Sequence, residues 1–163
     1  MTTKHTSAIQ QSILSQWKRP PTSYVKDNFD EAVFACGDIS GLAKQTSGIF
    51  APEVIKSYAA EATVKLLLDL HLHMIILKGD CQKVIKMIQS TETDASACGM
   101  LVDDILIYIQ SFATCEASWV PRKLNNVAHC FAEYACSISN DCMWRDFPPN
   151  FIVTALTVDI ISD

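Results

Sequence analysis

The 163-residue chain is predicted to fold as an α/β domain in which helices cover both faces of a mixed β-sheet. An antiparallel opening is followed by two units in which a strand leads into a helix, and units of this kind join parallel strands. Hydrophobic residues make up 49% of the chain and charged residues 19%, a composition that supplies one core and argues against disorder.

The first strand is predicted within the run YVKDNFDEAVF, residues 24–34. Its two faces under strand alternation would carry Val25, Asp27 and Phe29 on one side and Lys26, Asn28 and Asp30 on the other. Asp30 would then project from the polar face. In residues 37–55, two short apolar runs flank Thr46-Ser47-Gly48, whose turn chemistry predicts a small hairpin.

Residues 53–70 are predicted to form a helix, because they lack glycine and proline and repeat apolar residues at helical spacing. Glu61 lies in the first half of this helix. Residues 74–80, MIILKGD, predict a buried strand that ends at Asp80 and leads into a helix over QKVIKMIQ. The remaining predicted elements are a helix over 97–112, a strand over 115–120, and a turn followed by a helix that reaches residue 138.

Asp30, Glu61 and Asp80 come from separate elements that such a sheet can bring together. Hydrolysis of a phosphodiester with two magnesium ions needs shared carboxylates, because hard cations prefer oxygen ligands. The chain has 18 acidic residues, however, so chance alone can place three of them at element ends. The spacing therefore leaves a metal site and an accidental pattern both open.

The net charge of -5 argues against a protein that wraps nucleic acid by charge alone, since phosphate neutralisation needs a basic surface. Any such contact must be local, and the alternative for each basic residue is a solvated face. No run approaches a membrane span or a secretory signal, and the seven cysteines are an odd number. We expect a soluble intracellular protein with reduced thiols, in the nucleus or cytoplasm, and a monomer without membrane contact.

Cys130, Cys136 and Cys142, beside His129, leave zinc as an alternative to small buried side chains, although they lack the short ligand pairs that zinc sites favour. The predicted organisation is a flexible leader over 1–22, a domain over 23–140 and a C-terminal extension over 141–163 that packs on the domain. The three tryptophans are predicted to be core residues, with base stacking as the alternative.

Four motifs, which open with WKRPPTSYVKDNFDEAVF at 17–34, occur in order along the chain. AEA follows at 60–62, LKGDCQKVI at 77–85 and WVPRKLNNVAHCFAEYA at 119–135, and the tail MWRDFPPNFIVTALTVD extends the series. Together they resemble plant ribonuclease H type 1-like domains, the reverse transcriptase-like family found in non-LTR retrotransposons and their domesticated relatives. The resemblance covers about residues 17 to 160.

The resemblance implies a ribonuclease H-like fold with a five-stranded mixed sheet, and cleavage of the RNA strand of RNA–DNA hybrids. It assigns catalysis to Asp30, Glu61, Asp80 and His129, with the three acids holding two Mg²⁺ or Mn²⁺ ions. Histidine is a weak magnesium ligand, so His129 is either a proton shuttle or a packed helix residue. The nucleic-acid contacts that it implies are those of Asn28, Lys78, Arg122 and Asn125, and Asn125 is also predicted to cap the following helix.

The chain departs from the family pattern at several positions. Glu31 replaces a glycine after the first acid, Lys78 stands where a glutamate is usual, and Asp27 replaces an apolar residue. Only 30 residues separate Asp30 from Glu61, which predicts a shortened hairpin of strands 2 and 3. Two main hypotheses follow: a metal-dependent hybrid endonuclease, or a catalytically weakened, domesticated domain that binds nucleic acid or a protein partner. A purely structural remnant is the third.

Overall fold

A computed structural model of the chain describes residues 21–30, 33–36, 40–44, 48, 50–90, 92 and 94–161. Residues 1–20 of the predicted leader, with Trp17, lie outside the described residues, as does Glu31. Among the helices of the described ranges, none is both long enough and apolar enough to cross a membrane.

Six strands and five helices are described. The strands are β1 (Val25–Phe29), β2 (Val33–Cys36), β3 (Ser40–Ala43), β4 (Met74–Gly79), β5 (Thr114–Trp119) and β6 (Cys142–Arg145). The helices are α1 (Pro52–Asp69), α2 (Gln82–Gln89), α3 (Ala97–Ile109), α4 (Asn126–Ala135) and α5 (Val153–Ile161). Short 3-10 turns over Arg122–Leu124 and Asn150–Ile152 precede the last two helices.

The sheet has the strand order β5-β4-β1-β2-β3-β6. β1, β4 and β5 are parallel, whereas β2, β3 and β6 join by antiparallel pairing. The predicted mixed sheet is therefore confirmed, but the predicted count of five strands is wrong. The additional strand is β6, a four-residue segment of the tail that pairs with β3 and so extends the sheet.

The antiparallel opening also differs from the prediction. The run 24–34 contains the whole of β1 and the first two residues of β2, and the two strands pair antiparallel with Val33 opposite Phe29. β2 and β3 pair antiparallel, with Ala35 opposite Ser40. The predicted turn at Thr46-Ser47-Gly48 follows β3 in the sequence, and Thr46 and Ser47 lie outside the described residues. The described strands of this hairpin have four residues each.

The core has two parts, one for each face of the sheet. The part under α1, α2 and α3 includes Phe29, Ile75 and Leu77, all fully buried. The part under α4 joins Phe131 and Ile152 to the C-terminal segment. The aromatic residues of α4 and of that segment pack tightly, with the rings of Tyr134 and Phe151 stacked at 4.4 Å and Trp144 beside both. Trp144 is thus a packing residue, as its sequence setting predicts.

Gly79, the last residue of β4, lets the neighbouring strand approach. It lies opposite Phe29 in the β1–β4 register, and a Cβ at this position would overlap the Phe29 ring. The absent side chain lets Phe29 fill the core directly before Asp30. Glycine at this position therefore sets the relative placement of the two residues that follow these strands, Asp30 and Asp80.

Candidate metal and nucleic-acid site

Two of the predicted acids meet at the end of the sheet where the parallel strands have their carboxyl ends. β1 and β4 are adjacent and parallel, so their carboxyl ends lie side by side, and Asp30 and Asp80 each follow directly after their strand. Their side chains are only 2% and 7% exposed. This end therefore carries two shielded carboxylates close to each other, the situation in which a counter-charge is needed.

That counter-charge is Lys56, on the first turns of α1. Its Nζ donates a hydrogen bond to Asp30 Oδ1 and another, 2.6 Å long, to Asp80 Oδ1. Burial by itself would lower the pKa of Lys56, but the hydrogen bonds and charges of the two aspartates outweigh it and hold that pKa above its ordinary value. The ammonium group thus stays charged between the two acids.

His129, on α4, completes the surroundings of Asp30. Its Nδ1 lies 3.2 Å from Asp30 Oδ2, so both oxygens of Asp30 have partners. Arg122 Nη2 is 3.2 Å from each ring nitrogen, and Glu133 Oε1 is 3.4 Å from Nε2. In a neutral ring, a proton on Nδ1 would donate to Asp30 and leave Nε2 to accept from Arg122. His129 therefore sits where it orients Asp30.

Glu61 does not join this group. Its carboxylate accepts a 2.6 Å hydrogen bond from Lys65, one turn further along α1, and Lys65 Nζ in turn lies 5.2 Å from the centroid of the Tyr108 ring on α3. Glu61 follows Lys56 by five residues, which turns it about 140° away around the helix. Helix α1 therefore presents a lysine, where the sequence resemblance places an acid, to Asp30 and Asp80.

The residues present do not fit a pair of divalent metal ions in this arrangement. Within the part of the chain that is described, no three or more histidine, cysteine or acidic side chains are grouped to hold a metal. The same observation, again for the described residues, covers the zinc alternative at Cys130, Cys136 and Cys142. The two acids that do meet share a lysine, and the third is paired elsewhere.

Asn28 and Asn125 form a bridge between β1 and the start of α4. Asn28 Nδ2 donates to Asn125 Oδ1 at 3.0 Å, and Asn125 Nδ2 donates to the backbone oxygen of Phe29 at 2.9 Å. Asn125 does occupy the N-cap position of α4, but its side chain makes no capping hydrogen bond. The predicted side-chain cap is therefore wrong, because the amide is used to hold the helix against β1. With exposures of 9% and 1%, both residues position the site from beneath.

Lys78 is half-buried on β4, on the same side of the sheet as its register partner Asn28. Its Nζ donates a 2.6 Å hydrogen bond to Ser118 Oγ on β5. Burial lowers the pKa of Lys78, and the charge of Glu116 offsets this only in part. A phosphate contact by Lys78 stays a prediction, and it would require the ammonium group to leave Ser118.

An open groove lies beside the acid pair and has a basic and aromatic lining. Lys56, Asp80, Lys83, Trp119 and Arg122 are among the residues that line it. The Trp119 side chain is 39% exposed, although its Nε1 donates to the backbone oxygen of Asp80 at 3.0 Å. The expectation that Trp119 is a core residue is wrong, because β5 is the edge strand and leaves one flank of the ring uncovered.

Asp27, which replaces an apolar residue of the family pattern, lies inside the core. The side chain is fully buried on the face shared with Phe29, and among the described residues neither of its oxygens has a hydrogen-bond partner. Burial raises the pKa of this carboxyl well above its usual range, and the nearby backbone N–H of Asn28 offsets only part of that effect. Asp27 is thus a destabilising element next to the site.

The chain is similar to proteins of known sequence family and known structure. A family model described as reverse transcriptase-like matches residues 58–135. RNase H1 from the halophilic archaeon Halobacterium salinarum NRC-1 superposes with a TM-score of 0.57 and 19% identity, over 70% of this chain and 98% of that one. The N-terminal RNase H domain of rv2228c from Mycobacterium tuberculosis, solved as a fusion with maltose binding protein, gives a TM-score of 0.58 and 16% identity, over 70% and 94%.

No curated protein matched the chain significantly. The structural matches cover nearly the whole of each relative, and the family match spans most of α1 through α4. These findings confirm the resemblance of the sequence motifs to reverse transcriptase-like, ribonuclease H-like domains. The chain has a ribonuclease H-like fold, and its residues 58–135 are similar to the reverse transcriptase-like family model.

Proposed function

We propose that this domain binds RNA–DNA hybrids at the groove beside Asp30 and Asp80, and that it does not cleave them while Lys56 lies between these acids. The observation that carries the proposal is Trp119, partly exposed in a groove that Lys83 and Arg122 also line. Aromatic side chains stack on bases or sugars, and arginine binds phosphate. The fold supports the choice of ligand, since the two solved relatives are named as RNase H proteins.

The charge distribution is compatible with binding at one place. The chain has a net charge of -5, but the groove brings three cationic side chains, Lys56, Lys83 and Arg122, to the ends of β4 and β5. Lys83 is partly neutralised by Glu53, whose Oε1 lies 3.2 Å from Nζ. Arg122 is the exposed cation that remains available to a phosphate, because its contact is to the His129 ring rather than to a carboxylate.

Replacing Trp119 by alanine is expected to weaken hybrid binding by about 1–3 kcal/mol, the range found for loss of one stacked base. Arg122→Ala is expected to weaken it less and to reduce its salt dependence, since a single phosphate contact is removed. Fluorescence anisotropy of a labelled hybrid, titrated at several salt concentrations, measures both effects.

The chain offers matched controls at β6, the outer strand on the other side of the sheet from β5. Phe147 is 79% exposed and Arg145 is exposed, and both lie at or beside β6, the strand furthest from β5. Phe147→Ala and Arg145→Ala should leave the affinity unchanged. Equal losses in the groove variants and the control variants, or no measurable binding by the wild type, would reject this groove as the binding site.

Hydrolysis of the RNA strand with Mg²⁺ or Mn²⁺ is the second candidate function, with Asp30, Glu61, Asp80 and His129 as the proposed residues. The observation in its favour is that Asp30 and Asp80 share a sheet edge with the His129 ring beside them. A labelled hybrid incubated with either ion would distinguish the candidates. We expect intact hybrid with the wild-type protein; cleavage that Asp80→Asn abolishes would instead establish the nuclease.

A further inference from the structure

We infer that Lys56 is a resident cation that takes the place of a divalent metal ion between Asp30 and Asp80 and keeps such an ion out. The inference does not depend on hybrid binding, because it concerns only how these two carboxylates are neutralised. It would make the acid pair a structural ion pair in the wild-type protein. It also predicts that removing one side chain converts the pair into a divalent cation site.

The contacts leave no place for a second cation. Lys56 Nζ bonds to Oδ1 of both aspartates, and the other oxygen of Asp30 faces His129 Nδ1. A divalent ion that bridged the same two carboxylates would need the oxygens that the ammonium already holds. A divalent ion and the Lys56 ammonium on the same two carboxylates would also repel each other strongly in a poorly solvated site.

Burial strengthens this conclusion. Magnesium gives up its water reluctantly and usually keeps several water ligands when it binds to one or two carboxylates. The side chains of Asp30 and Asp80 are 2% and 7% exposed, and that of Lys56 is 15% exposed. The pair can therefore be neutralised by an ammonium group that brings no water, but not by a hydrated ion while Lys56 stays in place.

The position of Glu61 removes the remaining argument for a metal. A third carboxylate close to the pair would favour a divalent ion over a single positive charge. Glu61 is instead bonded to Lys65. Two aspartates and one lysine leave a net charge of -1, whereas the same two acids with a divalent ion would be neutral, so removing the lysine leaves a doubly charged pair that attracts a cation.

The test measures Mn²⁺ binding by electron paramagnetic resonance for the wild type, Lys56→Ala and Lys56→Ala/Asp80→Asn. We expect no saturable site in the wild type and one site in Lys56→Ala, with an affinity at least about tenfold above any residual Mn²⁺ binding by the wild type. The double variant should lose that site. A wild type that binds Mn²⁺ as tightly as Lys56→Ala would overturn the inference, as would a folded Lys56→Ala protein without a site.

Thermal unfolding gives a second readout that does not require the alanine variant to be stable. The midpoint of the wild type should be the same in EDTA and in millimolar Mg²⁺ or Mn²⁺, because a ligand raises stability only if the folded state binds it. A midpoint that rises with either ion overturns the inference. Lys56→Gln, which keeps a hydrogen-bond donor but no charge, serves for the binding measurement if Lys56→Ala does not fold; a folded Lys56→Gln protein without a Mn²⁺ site overturns it as well.

Discussion

Replacing Lys56 by methionine is expected to lower the free energy of unfolding by about 3–5 kcal/mol, the range for breaking a buried ion pair from one side. The substitution keeps most of the volume of the side chain but leaves Asp30 and Asp80, which are nearly buried, without their shared positive charge. Urea denaturation at neutral pH, without divalent ions, measures the change.

Lys65→Met is the matched control on the same helix. Lys65 also pairs with an acid, Glu61, but its side chain is 48% exposed, so the loss should be only about 0.3–0.5 kcal/mol. Comparable losses in the two variants would mean that the Asp30–Lys56–Asp80 contacts are as solvated as a surface pair.

The same interaction has an expected dependence on pH. The folded state holds the pKa of Lys56 above its ordinary value of 10.5. A group with a raised folded pKa contributes stability that is fully present below its unfolded pKa and is lost as the pH rises through the folded one. The difference in stability between the wild type and Lys56→Met should therefore be constant up to about pH 10 and shrink at higher pH.

The meeting of Asp30 and Asp80 could be predicted from the sequence because it follows from strand direction alone. Each acid ends a strand, and adjacent parallel strands deliver their carboxyl ends to one edge. The register that makes the two acids neighbours depends on Phe29 packing against Gly79, and both residues are visible in the motifs. Local pattern and topology agree at these four positions.

The role of Lys56 could not be predicted in the same way. The motif points to Glu61, but the direction in which a helical side chain points depends on the rotation of α1 against the sheet, which residue spacing does not fix. The buried face of α1, with Ala60, Val64 and Leu67, sets that rotation and brings Lys56 to the acids. The spacing of apolar residues does not show how this face is turned towards the sheet before the helix is packed against it.

Trp119 and β6 were missed for a related reason. Whether a tryptophan at a strand end is covered depends on which strand lies at the edge of the sheet. The strand β6, within the tail, is only four residues long and includes Arg145. Both outcomes are decided by neighbours distant in the sequence.

Asp27→Asn is expected to raise the free energy of unfolding at pH 7 by about 1–3 kcal/mol, because it removes an ionisable carboxyl that is buried and has no hydrogen-bond partner among the described residues. The sign of the pH dependence follows from the raised folded pKa of Asp27. The folded state then binds its proton more tightly than the unfolded state does, so wild-type stability falls as the pH rises from about 3.8 towards the folded pKa and levels off above it.

The two proteins should therefore be closest in stability near pH 4 and diverge as the pH rises, in urea denaturation followed from pH 4 to pH 8. Asp104→Asn, at an exposed position on α3, provides the isosteric control and should run parallel to the wild type. A constant difference at every pH would show that Asp27 titrates alike in the folded and unfolded chains, contrary to its burial. If the added stability of Asp27→Asn grows with pH, the ionisable carboxyl of Asp27 lowers the stability of the folded wild type, at a position only three residues before Asp30.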